Sequence, residues 1–190
     1  MDSWWKTALW QQFGATIDML ENALMACPDS LWKERLWRTP PPSWFPPQFA
    51  EFWYVTYHTL VGLDLRLSGV PEEEFAPPAP FVQGVLDSVE AMPEQPYTRE
   101  ELHTYLASLR QKCHTTLVTQ TDEQARRPVE SHWSEGRAVS YLELLLYTLR
   151  HVQEHAAQLS LFLGQHGIPG EALDWVPQAK GDEGGKERKG

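Results

Sequence analysis

The chain has 190 residues, 42% hydrophobic and 22% charged, which fits one soluble globular domain. That composition excludes a wholly disordered chain, a collagen-like repeat and a disulfide scaffold. Sixteen Lys and Arg against twenty-six Asp and Glu give a net charge of −10 at pH 7; such a field repels phosphate backbones and excludes nucleic acid as a partner class.

Four long segments carry a helical period, and proline-rich connections separate them. The first runs from about Ser3 to Cys27, with Trp5, Leu9, Phe13, Ile17, Leu20 and Leu24 on one face; Pro28 ends it. The segment Pro40 to Pro47, rich in proline and aromatics, predicts an ordered crossover. A second helix begins near Gln48 to Glu51 and runs to about Ser68, where Gly69 is a natural stop. Pro71 to Pro80 reads as another extended connection, followed by a weaker helical piece from Phe81 to Ala91. Thr98 and Glu101 form a capping-box pattern that opens the third helix, whose stripe is Leu102, Tyr105, Leu106, Leu109, Cys113 and Leu117.

Val129 to Val139 reads as a short irregular loop, and no segment shows period-two alternation. Ser140 and Glu143 repeat the capping logic at the start of the fourth helix, which reaches about Gln165 with Gly167 beyond. Its core stripe is Leu142, Leu145, Leu149, Val152, Ala156, Leu159 and Leu163. The expected architecture is all-α: a four-helix bundle with long proline-rich crossovers over residues 1–179, then a disordered charged, Gly-rich tail over 180–190. Among the nine Trp, core positions are expected for Trp5, Trp10 and Trp53, while Trp44, Trp133 and Trp175 stay open.

The two Cys, Cys27 and Cys113, have no metal-ligand spacing and lie in apolar helical patterns, where a free Cys behaves as a small hydrophobe. The N-terminal residues lack a basic segment followed by an apolar one, and no run approaches the ~18 apolar residues of a membrane span. A cytoplasmic protein away from membranes is therefore expected.

The chemistry resides in the histidines. His151 and His155 are four residues apart on the fourth helix, so their imidazoles project about 40° apart and roughly 6 Å along the axis, placed to share one ion. A third ligand is needed, because catalytic zinc sites commonly have three protein ligands and an open position. His58, in the apolar and aromatic stretch of the second helix, is the candidate; Trp53 and Tyr57 beside it and Trp133 suit either a pocket or the core. Asp64 is off the face of His58, which argues against shared ligation. His103 and His114 have polar neighbours, His132 is in a loop, and His166 suits a helix C-terminus. Glu154 is placed to orient a ligand or to act as a general base.

A helix-two His followed much later by H-x-x-x-H and its Gln-Leu continuation (His58 to Asp64, and His151 to Gly167) resembles the DinB/YfiT-like family of metal-binding four-helix bundles. The resemblance implies a divalent metal ion, zinc or nickel, held by His58, His151 and His155. It also implies a homodimer and, in some members, thiol-transferase or isomerase chemistry on a low-molecular-weight thiol; a hydrolase is a further reading of the site. The contrasting reading is a non-enzymatic metal-binding or stress-related helical protein that acts through dimerisation. An inverted zinc-peptidase motif also fits His151, Glu154 and His155, but only 35 residues follow and no sheet is evident. A ferritin-like di-iron centre wants two Glu-x-x-His motifs and further Glu ligands, whereas the fourth helix has the order His-x-x-Glu once, at His151 and Glu154.

Overall fold

The computed structural model describes residues 4–37, 46–82, 92–129 and 137–168. Four long helices dominate them: α1 (Trp4–Ala26), α2 (Phe52–Ser68), α3 (Arg99–Thr119) and α5 (Tyr141–Gln165), with a short α4 (Asp122–Arg126) between the last two. The expected boundaries agree to within a residue or two, except that α2 starts at Phe52 after a separate 3-10 turn, Pro47–Ala50.

Helix ends follow local chemistry. The Thr98 hydroxyl accepts from the Glu101 amide at 3.2 Å, and the Glu101 carboxylate accepts from the Thr98 amide at 2.7 Å, completing the expected box. At α5, Ser140 accepts from the Glu143 amide at 3.1 Å, while the Glu143 carboxylate faces Arg137 at 3.6 Å. Gly69 ends α2 with a φ of 65°, a left-handed conformation that glycine adopts without a Cβ penalty. The unanticipated α4 opens with its own capping box, Thr121 with Gln124. Residues 129–139 are bracketed by a two-residue antiparallel pair, β1 (Pro128–Val129) and β2 (Val139–Ser140), with Val129 opposite Val139. Strands this short carry no alternation for a sequence to reveal.

α1 packs against α3 and α5, and α2 also packs against α3 and α5, so α1 and α2 face each other across a shared core. The α3 stripe is buried as expected. In α5 Leu145, Val152, Ala156, Leu159 and Leu163 of the expected stripe are buried; Leu144, Thr148 and Phe162 are buried beside them, whereas Leu142 and Leu149 are half-buried. Trp53 is core; Trp5 and Trp10 are half-buried and packed against it. α2 is enclosed on all sides, as an almost uniformly apolar helix must be. Its buried threonines Thr56 and Thr59 donate to the carbonyls four residues back.

Phe81 and Val82 are not helical; the rest of the expected 81–91 helix, most of the 40–47 crossover, Trp44, Trp133, Trp175, His132 and the 180–190 tail lie outside the described residues. Among the described residues no helix is long and apolar enough to cross a membrane.

Candidate metal centre

His58 is the only residue between Phe52 and Leu67 that is not buried. It therefore marks where the enclosed helix α2 meets solvent, and α5 brings His151 and His155 to the same place. One ligand atom from each of the three histidines can be chosen so that all lie within 4.8 Å of one another. The ring centroids are 5.1 Å apart for His58 and His151, 5.1 Å for His58 and His155, and 4.6 Å for His151 and His155.

The nitrogens fit the demands of a metal ion. His58 Nε2 and His151 Nε2 face each other at 3.1 Å. Two nitrogens on a tetrahedral ion with bonds of 2.0–2.1 Å sit about 3.3 Å apart, so this pair is already at ligand spacing. The third imidazole, His155, completes the trio within the 4.8 Å span. His155 Nδ1 lies 2.8 Å from Gln158 Oε1, a contact in which the ring N–H donates and Nε2 is left as the lone-pair nitrogen. His151 Nδ1 is buried with no hydrogen-bond partner among the described residues, so this imidazole is not explained as a satisfied core histidine.

Protonation favours ligation too. Burial is the largest cause lowering both the His58 pKa, to about 3, and the His151 pKa, to about 2. For His58 the neighbouring His155 and then the Arg66 guanidinium push further down; for His151 Arg66 comes next, then the other two imidazoles. Both rings are thus neutral at physiological pH, the form that donates a lone pair.

Around the trio, Tyr54 stacks near His58 at 6.5 Å and Tyr147 near His151 at 6.3 Å. Gly62, one turn after His58, leaves room for two side chains. A Cβ there would lie 2.5 Å from Arg66 Nη1 and 3.1 Å from His151 Cε1. Arg66, buried and two turns after His58, was not singled out in the sequence, although His58, Gly62 and Arg66 share the i, i+4, i+8 spacing of one helix face. Gln158 is the second residue whose role emerges only from the fold. Glu154 is exposed, and its carboxylate accepts from the Gln158 amide at 3.5 Å. Its link to the trio therefore runs through Gln158.

The remaining candidates have other duties. Asp64 accepts from Tyr105 Oη at 2.6 Å and from Lys112 Nζ at 2.5 Å, tying α2 to α3. Trp53 donates to Glu51 at 2.6 Å, and Tyr57 donates to the Val82 carbonyl at 3.2 Å, so both belong to the aromatic core with Tyr97 and Phe81. His103 pairs with Glu21 at 2.9 Å, His114 packs on Trp10 at 4.7 Å, and His166 Nδ1 meets the Phe162 carbonyl at 2.8 Å. Cys27 and Cys113 are free and buried, and desolvation raises both thiols to about 12. Neither supplies a thiolate. No family model, curated protein or solved structure matches the chain.

Proposed function

We propose that this chain is a divalent-metal-binding protein with the DinB/YfiT-like four-helix-bundle architecture, and that His58, His151 and His155 hold the ion. The observation that carries the reading is the convergence of three half-buried imidazoles, two of them held neutral, at the α2–α5 junction. An all-imidazole donor set suits zinc or nickel. When bound, such an ion lowers the pKa of a water or thiol and yields a nucleophile near neutral pH. Gln158 fixes the tautomer of His155, and Glu154 supports Gln158 from the solvent side. The half-buried position of His58 leaves the centre reachable from solvent.

The activity assigned is metal-dependent transfer to or from a low-molecular-weight thiol, with hydrolysis as the related outcome when water takes the thiol's place. A homodimer in the cytoplasm completes the reading; Leu146 and Leu161, exposed apolar residues on α5, give it a surface. Zinc- or nickel-loaded protein is assayed for conjugation of small thiols to an electrophile, beside His58→Ala and metal-free protein. Turnover confined to the loaded wild type supports the enzyme. Stoichiometric metal without turnover across thiols and hydrolysable esters refutes catalysis and favours a metal-binding protein acting through its dimer.

A further inference from the structure

We propose that Arg66, with Tyr147 and Arg150 beside it, recognises a carboxylate on the small molecule that reaches the histidine trio; the inference rests on the metal-binding reading above. Arg66 Nη1 and His151 Cε1 lie 2.5 Å and 3.1 Å from the point that a Cβ on Gly62 would occupy, so they are no farther apart than the sum of those two distances. The guanidinium carbon lies 5.1 Å from the Tyr147 ring centroid, and Tyr147 in turn stacks toward His151. On the same ring, Arg150 lies 5.7 Å from the centroid. Arg150 is exposed, Tyr147 half-buried and Arg66 buried, so positive charge leads from solvent to the metal ligands.

This concentration of cations occurs in a chain of net charge −10. The ligand cluster itself contains no carboxylate, so a bound dication keeps its full charge. A guanidinium held next to that charge opposes metal binding by Coulomb repulsion, and an anionic ligand lying between the two reverses the sign. The planar fork of arginine matches a carboxylate in a bidentate fashion, whereas a neutral hydroxyl gains little there. The ligand class is therefore a small thiol whose carboxylate is two or three bonds from the sulfur.

The test uses zinc-loaded protein titrated calorimetrically with 3-mercaptopropionate and with 2-mercaptoethanol, which differ in carboxylate against hydroxyl. Zinc affinity is measured in parallel by competition with a chromophoric chelator. Wild type is expected to prefer the carboxylate by at least tenfold. Arg66→Gln brings that preference to within twofold while zinc binds as tightly or more tightly, and Arg66→Lys keeps part of it. Arg150→Gln, at an exposed position, lowers the preference two- to threefold and decides the matter if Arg66→Gln does not fold. A wild-type preference below twofold, or one that survives both neutralising substitutions, overturns the inference while zinc is retained. Wild-type protein that retains no zinc overturns the metal reading itself, and this inference with it.

Discussion

Gly62→Ala separates the needs of the metal site from those of the helix. In the interior of a helix, alanine is favoured over glycine by about 0.8–1.0 kcal/mol, so by propensity alone the substitution stabilises α2. The added Cβ meets Arg66 Nη1 at 2.5 Å and His151 Cε1 at 3.1 Å, both inside ordinary van der Waals contact. Arg66 Nη1 is the end of a flexible side chain and moves aside. His151 is anchored on α5 and must give by a few tenths of an ångström, which disturbs the 3.1 Å spacing between its Nε2 and that of His58. Metal bonds tolerate about 0.2 Å, so a displacement of that size is felt directly in affinity. Zinc affinity is expected to fall ten- to a hundredfold, about 1.4–2.8 kcal/mol, while the metal-free protein keeps its stability to within about 1 kcal/mol. Chelator competition gives the first quantity and urea unfolding of metal-free protein the second. Unchanged zinc affinity in a well-folded variant would refute the packing of His151 against Gly62 as a determinant of the site.

Other predictions concern the same centre and its surroundings. Gln158→Leu removes the acceptor for His155 Nδ1 and is expected to weaken metal binding ten- to a hundredfold; equilibrium titration checks it, and wild-type affinity contradicts it. Metal-free protein should lose stability as pH falls below about 6.5, because His58 and His151 stay neutral in the fold while the unfolded chain takes up their protons. With up to two protons the slope approaches about 2.7 kcal/mol per pH unit, fully absent above the unfolded pKa and continuing down toward pH 3. A urea midpoint unchanged between pH 7.5 and 5.0 contradicts that. Cys27 and Cys113 should react with a thiol reagent only as fast as the protein opens, since burial raises both pKa values to about 12; rapid modification of folded protein is the contrary result.

Periodicity exposed the helices because their apolar residues repeat without interruption, and the α3 stripe from Leu102 to Leu117 needed nothing more. The α5 stripe was less determinate. The run Leu144, Leu145, Leu146 offers three neighbouring phases, and packing between α1 and α2 selects the one that buries Leu144 and Thr148 and leaves Leu146 outside. α4 was missed although Thr121 and Gln124 spell a capping box, because only Ala125 follows as an apolar signal. For the site, H-x-x-x-H set two imidazoles on one face, and His58 was conspicuous as a polar residue in an apolar helix. Arg66 and Gln158 were not legible in that way. Arg66 and His151 come near each other in the space that a side chain at Gly62 would fill, and Gln158 matters only through the direction in which the His155 ring turns.

The most direct test of the central claim is the metal content and affinity of purified wild-type protein beside His58→Ala, His151→Ala and His155→Ala, with X-ray absorption on the loaded form. Loaded wild type is expected to hold one zinc or nickel ion per chain with three imidazole nitrogens among its ligands, at about 2.0–2.1 Å for zinc. Each variant is expected to lose at least a hundredfold in affinity. A wild type that retains no ion, or variants that retain it as tightly as wild type does, would contradict the claim.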